Sequence, residues 1–437
     1  MTNLINYRVD PGGSLRGVLC VPGDKSISHR SVMLGALAEG VTHITGLLEG
    51  EDVLSTLAAF RAMGVKATGP NVGTLVIEGV GLHGLQKPQR ALDMGNSGTA
   101  MRLMAGILAG QQFDSLLKGD SSLHKRPMGR VVTPLNAMGA RIDTAINGLP
   151  PLTIHGGQRL LGIEYILPVP SAQVKSAILL ASLFAEGVTT VIEPAPTRDH
   201  TERMLHGFGY QVEVYQRRVR LSGGGRLQAT SVQVPADISS AAFFIVGAAI
   251  AQDSDITLER VGINPTRIGV ITILQQMGAK IDIKNKREVG GEWVADIQVM
   301  SSRLRGITIP EDQVPLAIDE FPILFIAAAC ADGTTVLSGA KELRVKESDR
   351  IAVMAQGLRA LGINARETDD GMVIHGGNLG GGTIDSHGDH RIAMAFSIAG
   401  LRAFAPIVVR DCKNVDTSFP GFLPLAKQAG LRINVYE

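Results

Sequence analysis

Apolar positions along this chain gather into two alternating kinds of run. One kind is rich in Ala, Leu, Ile and Gly and apolar on nearly every side, at residues 31–38, 100–109, 176–185, 241–251, 323–331 and 392–401. Such small-sided segments predict helices buried on most of their surface. A short β-like run follows each, such as Thr42-His43-Ile44 or Thr189-Thr190-Val191-Ile192, and then a polar loop opens a second helical stretch. The second stretch ends in a fixed way: Met63-Gly64-Val65, Met138-Gly139-Ala140, Phe208-Gly209-Tyr210, Met277-Gly278-Ala279, Leu361-Gly362-Ile363 and Ala429-Gly430-Leu431. Gly at that place suits a helix C-cap, where a residue without Cβ takes positive φ at little cost. Another β-like run comes next, for example Lys280-Ile281-Asp282-Ile283.

Successive cap glycines are 75, 70, 69, 84 and 68 residues apart. The chain therefore reads as a β-α-β-α-β-β unit repeated six times. At 437 residues it exceeds what one core supports. The predicted fold is α/β: two similar domains of three units each, helices inside and sheets outside. The expected boundaries are 23–235 for one domain and 1–22 plus 236–437 for the other. If the N-terminal strand at 13–21 pairs back with the later units, the crossings near Pro22 and Pro235 make a hinge.

Composition narrows the function classes. Lys plus Arg minus Asp plus Glu is 42 − 41 = +1, so no overall field gathers nucleic acid or an anionic membrane. The longest apolar runs, 241–251 and 321–331, fall short of the ~20 residues that span a bilayer. Residues 1–13 lack the apolar core of a secretory signal, and three scattered cysteines, Cys20, Cys330 and Cys412, suit a reducing compartment. The expectation is a cytoplasmic protein with neither nucleic acid nor membrane as partner.

Charge placement carries the chemistry. The first helices open with Lys25-Ser26-Ile27-Ser28-His29-Arg30, Asn96-Ser97-Gly98-Thr99, Ser171-Ala172-Gln173-Val174-Lys175, Asp237-Ile238-Ser239-Ser240, Asp319-Glu320 and Asp389-His390-Arg391. Second helices are expected to open with Arg126-Pro127, Arg198-Asp199-His200-Thr201 and Lys346-Glu347-Ser348-Asp349-Arg350. A base at a helix N-terminus opposes the macrodipole, so a repeated arrangement of this kind implies an anion to offset it. Free N–H groups of first turns, joined by Lys and Arg, make phosphate or carboxylate sites. Several such ends on two domains, converging on an interdomain cleft, would clamp a ligand with several negative groups.

Simpler readings exist for each motif alone. Pro22-Gly23-Asp24-Lys25-Ser26 is not a nucleotide P-loop, because Asp24 separates Gly from Lys and Gly17 lies one residue too far upstream. Residues 344–350 could form a solvated, salt-bridged turn. His387-Gly388-Asp389-His390 lacks a fourth ligand of recognisable spacing, so no metal is expected. Asp319-Glu320 could be a favourable acid pair at a helix start. Recurrence at equivalent places of the repeat is the stronger signal.

Pro22-Gly23-Asp24-Lys25-Ser26-Ile27-Ser28-His29-Arg30, Gly95-Asn96-Ser97-Gly98-Thr99-Ala100-Met101-Arg102, Arg344-Val345-Lys346-Glu347-Ser348-Asp349-Arg350 and Gly388-Asp389-His390-Arg391 resemble the signatures of the 5-enolpyruvylshikimate-3-phosphate synthase family. The match is co-linear over essentially the whole chain. Ile318-Asp319-Glu320-Phe321-Pro322 and Gln173-Val174-Lys175 resemble the second of its two sequence classes. The resemblance implies the enolpyruvyl transferase fold, an inside-out α/β barrel of two three-unit domains. It also implies two substrates, shikimate 3-phosphate and phosphoenolpyruvate, no cofactor or metal, and a monomer.

Carried over by position, the resemblance puts Lys25, Ser26, Arg30, Ser171, Ala172, Gln173, Arg198, Asp319 and Lys346 around shikimate 3-phosphate. Lys25, Gly98, Arg126, Gln173, Arg350 and Arg391 would meet phosphoenolpyruvate. Asp319 would take the proton of the acceptor's 5-hydroxyl, and Glu347 with Lys25 would move the proton at C3 of phosphoenolpyruvate. Two positions depart from the family pattern: Glu342, where many members have Asn, and Thr417-Ser418, near the position where many members have a C-terminal Lys. One rival is UDP-N-acetylglucosamine enolpyruvyl transferase, which typically has a cysteine on the loop that here reads Gly119-Asp120-Ser121-Ser122-Leu123-His124-Lys125-Arg126. A ring-shaped nucleic-acid clamp is the other, and it needs bases along helix faces rather than at helix starts.

Overall fold

The computed structural model describes residues 5–436. It contains two compact units: Met1–Pro22, Pro235–Glu288 and Glu292–Glu437 form one, and Gly23–Val234 with Val289–Gly291 the other. Each has its own hydrophobic core.

The Gly23–Val234 unit carries three four-stranded sheets of one topology. Glu39–Thr45 pairs in parallel with Ser231–Gln233 and antiparallel with Thr74–Val80, which pairs antiparallel with Lys66–Asn71. The same order recurs around Ser115–Lys118 and around Val188–Ile192. Strand faces alternate between buried and exposed, as in Arg218–Ser222. Helices Lys25–Leu37, Gly98–Ala109 and Ala172–Ser182 are buried on nearly all sides. Their small residues permit close packing: a Cβ on Gly106 would lie 2.2 Å from the Ala177 carbonyl oxygen.

The other unit repeats the plan with borrowed strands. Arg16–Leu19 pairs in parallel with Asp255–Gly262, so the N-terminal segment does join the fourth repeat. In the last sheet Asn6–Val9 lies between Ile407–Arg410 and Ile433–Tyr436, taking the place of a strand that elsewhere comes from within the repeat. The middle sheet has three strands, and isolated parallel bridges, Arg305 to Asp332 and Thr308 to Val336, stand where a fourth would run. Every residue of helices Ile238–Ile250 and Phe321–Ala329 is buried.

All six repeat-end glycines adopt the left-handed conformation, with φ of 90° at Gly64, 104° at Gly139, 78° at Gly209, 95° at Gly278, 84° at Gly362 and 117° at Gly430. Second helices begin later than their charges suggested. Arg126 lies before Gly129–Ala137, Arg198 before His200–Gly207, and Lys346 to Asp349 before Arg350–Ala360. Pro127 disfavours helical backbone at Arg126, which is extended at φ −91° and ψ 132°. These bases therefore project from loops that feed helices rather than from first turns.

Candidate active site

Capping explains how first turns rich in Lys and Arg remain stable. Asp24 accepts from the Ile27 amide at 2.8 Å, Ser97 from Ala100 at 3.1 Å and Ser171 from Val174 at 3.4 Å. In the other unit Asp237 accepts from Ser239 and Asp389 from Arg391. Each cap satisfies one orphan N–H, and an Asp cap places a negative charge at the positive end of the dipole.

In the Gly23–Val234 unit, Lys25 forms an ion pair with Asp52, in the first turn of Glu51–Ala62. Arg30 crosses to two other helices: Nε donates to Thr201 Oγ1 and Nη2 to Ser176 Oγ, both at 2.7 Å, while Nη1 donates to the Ser26 carbonyl at 3.0 Å. His29 beneath it is fully buried, with Nδ1 2.8 Å from Thr56 Oγ1 and Nε2 3.4 Å from Ser97 Oγ. Burial, reinforced by the charges of Lys25 and Arg30, holds this imidazole well below the usual histidine range, so it is neutral.

A second group forms around Gly98. Gln173 donates from Nε2 to Thr99 Oγ1 at 2.9 Å and accepts from Arg102 Nη1 at 2.5 Å. Arg126 Nη2 donates to Asn96 Oδ1 at 2.7 Å. A Cβ on Gly98 would meet Arg102 Nη1 at 3.0 Å and Arg126 Nη1 at 3.3 Å. Ser171 and Ala172 begin the helix that carries Gln173. Its next turn carries Lys175, buried between Glu193 at 3.0 Å and Glu202 at 2.6 Å. Burial alone would lower the Lys175 pKa, but the two carboxylates outweigh it and hold the ammonium charged. This triad ties the helix of Ser171 to both flanks of the loop bearing Arg198.

In the other unit the cluster centres on Arg350, which is 1% exposed. Its Nε lies 2.8 Å from Asp389 Oδ2, its Nη2 2.6 Å from Glu347 Oε2, and its Nη1 3.5 Å from Asp319 Oδ1. Nη1 is buried and makes no hydrogen bond among the described residues. Lys346 Nζ stands 3.2 Å from Asp319 Oδ1, and Arg391 Nη1 donates to the Asp319 carbonyl at 2.8 Å. Burial opposes charge on both Asp389 and Arg350, yet their mutual attraction prevails: the Asp389 carboxyl is lowered and the Arg350 guanidinium raised. Two carboxylates, Asp319 and Glu347, thus stand in one cluster with Lys346, Arg350 and Arg391.

The sequence-expected residues accordingly fall into two groups, Lys25, Ser26, Arg30, Gly98, Arg126, Ser171, Ala172, Gln173 and Arg198 in one unit, and Asp319, Lys346, Glu347, Arg350 and Arg391 in the other. Sequence reasoning passed over Arg102, Asp52 and Asp389 as site residues. Arg102 had a signal, since it follows Gly98 by one helical turn. Asp52 and Asp389 had a weaker one, as acids at helix starts. Of the two departures, Glu342 sits in the short turn Lys341–Val345, and Thr417 and Ser418 are buried, with Thr417 Oγ1 donating to the Asn414 carbonyl at 2.7 Å.

Comparison with known proteins matches residues 9–425 to the family model described as EPSP synthase (3-phosphoshikimate 1-carboxyvinyltransferase). A 3-phosphoshikimate 1-carboxyvinyltransferase of Alkalilimnicola ehrlichii is 64% identical over 430 residues, 98% of this chain and 96% of that one. The protein of the same name from Hydrogenovibrio crunogenus is 62% identical over the full length of both chains. Among solved structures, EPSP synthase from Acinetobacter baumannii is 58% identical, with a TM-score of 0.89 over 99% of this chain and 100% of that chain.

Proposed function

The chain belongs to the EPSP synthase family, and on that premise we propose how its residues divide the family's reaction. It transfers the enolpyruvyl group of phosphoenolpyruvate to the 5-hydroxyl of shikimate 3-phosphate and releases phosphate, a step of the shikimate pathway. The acceptor oxygen adds to C2 of phosphoenolpyruvate while C3 gains a proton. The tetrahedral adduct then loses phosphate and a C3 proton.

In our reading Lys25, Ser26, Arg30, Ser171, Ala172, Gln173, Arg198 and Lys346 hold shikimate 3-phosphate. Lys25, Gly98, Arg126, Gln173, Arg350 and Arg391 hold phosphoenolpyruvate. Asp319 also contacts shikimate 3-phosphate and takes its hydroxyl proton, and Glu347, with Lys25, carries the proton to and from C3. The supporting observation is the Arg350 cluster. Two carboxylates are held within reach of guanidinium and ammonium groups, and Arg350 keeps a buried N–H with no hydrogen bond among the described residues. Such a donor suits an oxyanion that arrives with substrate. Arg102, in contact with Gln173 and beside Gly98, steadies the phosphoenolpyruvate group.

We further propose two three-unit domains, 23–235 and 1–22 plus 236–437, hinged at Pro22 and Pro235, in a monomer that works in the cytoplasm without nucleic acid. Among the described residues no helix is long and apolar enough to cross a membrane. The deciding experiment is phosphate release from phosphoenolpyruvate with and without shikimate 3-phosphate. Release that depends on the acceptor is expected. Release that ignores it, or that needs UDP-N-acetylglucosamine instead, overturns the reading.

A further inference from the structure

Behind Arg391 runs a buried chain of polar groups that the reaction so far leaves unused. Arg267 donates from Nη2 to Asp237 Oδ1 at 3.1 Å and to Ser239 Oγ at 2.7 Å. The Ser239 hydroxyl donates in turn to Glu320 Oε1, and the same oxygen takes a long bond of 3.4 Å from Arg391 Nη1. Among the described residues, Glu320 Oε2 is buried and accepts nothing, and Arg391 makes no hydrogen bond from Nε or Nη2.

Glu320 stands at the head of Phe321–Ala329, where an acid could simply complement the helix dipole. Its side chain caps nothing there; it reaches instead to Ser239 and Arg391. A carboxylate in the core with one oxygen unsatisfied is costly, and fold stability alone would favour a neutral or apolar side chain. Its neighbours explain why it is kept. Glu320 Oε1 and the Asp319 carbonyl both take the Nη1 end of Arg391, which leaves the Nε–Nη2 edge of the guanidinium uncommitted. That edge has the fork geometry that grips a carboxylate or phosphate through two bonds.

We propose that Glu320, held by Ser239, is a positioning residue for phosphoenolpyruvate: it sets the orientation in which Arg391 offers its free edge. This rests on the reading of Arg391 as a phosphoenolpyruvate ligand. Arg267 and Asp237 anchor Ser239 from behind and complete the support.

The test measures kcat and both KM values by phosphate release in Glu320→Gln, Glu320→Asp, Ser239→Ala and Arg391→Lys, with thermal unfolding alongside. Glu320→Gln should raise KM for phosphoenolpyruvate about tenfold, with KM for shikimate 3-phosphate and kcat within about twofold. Ser239→Ala should raise the same KM about threefold. Glu320→Asp, which keeps the charge at shorter reach, should fall between wild type and Glu320→Gln. Melting temperatures should hold steady or rise, which separates positioning from folding. If removal of the negative charge lowers KM for phosphoenolpyruvate, or both KM values move together, Glu320 is not a positioning residue. If Arg391→Lys raises that KM while the Glu320 and Ser239 variants leave it alone, this proposal fails and the ligand reading stands. If Arg391→Lys leaves it unmoved, the ligand reading fails first and takes the proposal with it.

Discussion

Arg30 and Arg350 are buried in different units and are held by opposite means. Thr201, Ser176 and the Ser26 carbonyl fix Arg30, whereas Asp389, Glu347 and Asp319 surround Arg350. Hydroxyl and carbonyl oxygens orient a guanidinium without neutralising it. Carboxylates orient it and place negative charge beside it. Arg30 is thus set among neutral oxygens in these three bonds, while the Arg350 cluster combines cations with carboxylates. Lys25 qualifies the contrast, being paired with Asp52. In the proposed reading both clusters hold anionic substrate, and the one around Arg350 adds the carboxylates that move protons.

The sharpest way to break this comparison is to neutralise the carboxylates. Asp319→Asn and Glu347→Gln should each lower kcat by about 10²–10⁴-fold with both KM values changed only a few-fold. Steady-state phosphate release measures this; lost binding with turnover intact would erase the difference between the clusters. A smaller effect is expected on the anchoring side. Thr201→Val keeps the shape and removes the acceptor of Arg30 Nε, so KM for shikimate 3-phosphate should rise about tenfold with kcat nearly unchanged. An equal fall in kcat would place Arg30 among the reacting groups instead.

The smallest effect concerns the buried His29 beneath the anchoring cluster. Its folded-state pKa lies well below 6.5, so below about pH 6.5 the unfolded chain binds a proton that the folded chain refuses. Stability from this group is complete above that pH. It falls as pH drops, by at most about 1.4 kcal/mol per pH unit, until the folded pKa is reached. His29→Asn should show a shallower acid-side loss in urea unfolding at pH 7.5, 6.5 and 5.5. Parallel curves for the two proteins would show that His29 charges freely in the fold.

The repeat was legible because its marks are local. An apolar helix, a Gly cap and a polar helix start each declare themselves within a few residues, and all six cap glycines have the positive φ their position requires. Candidate ligands were legible for the same reason, since bases at helix starts are locally unfavourable. Their partners were not. Arg30 meets Thr201 across 171 residues of sequence, and Arg350 meets Asp389 across 39. Helix packing sets those pairings, and no periodicity records them. The helix after Arg126 starts later for a local reason, the restriction that Pro127 imposes on Arg126. Glu320 read as a dipole-complementing acid because nothing nearby in sequence announces Ser239 or Arg391.

Asn6–Val9 lies between strands near the end of the chain, with Asn6 facing Tyr436. During synthesis this segment leaves the ribosome about 400 residues before its neighbours do. Gly23–Val234 contains all the strands of its own three sheets, so those sheets can close before the later repeats are made. The other unit cannot close its last sheet until Ile433–Tyr436 has been made. Closing a loop about a hundredfold longer than a hairpin turn costs only about 4 kcal/mol more in chain entropy. Prior folding of the intervening chain shortens the gap further. The burden is therefore one of time rather than of stability: Asn6–Val9 must wait, unpaired at both edges, for strands made much later.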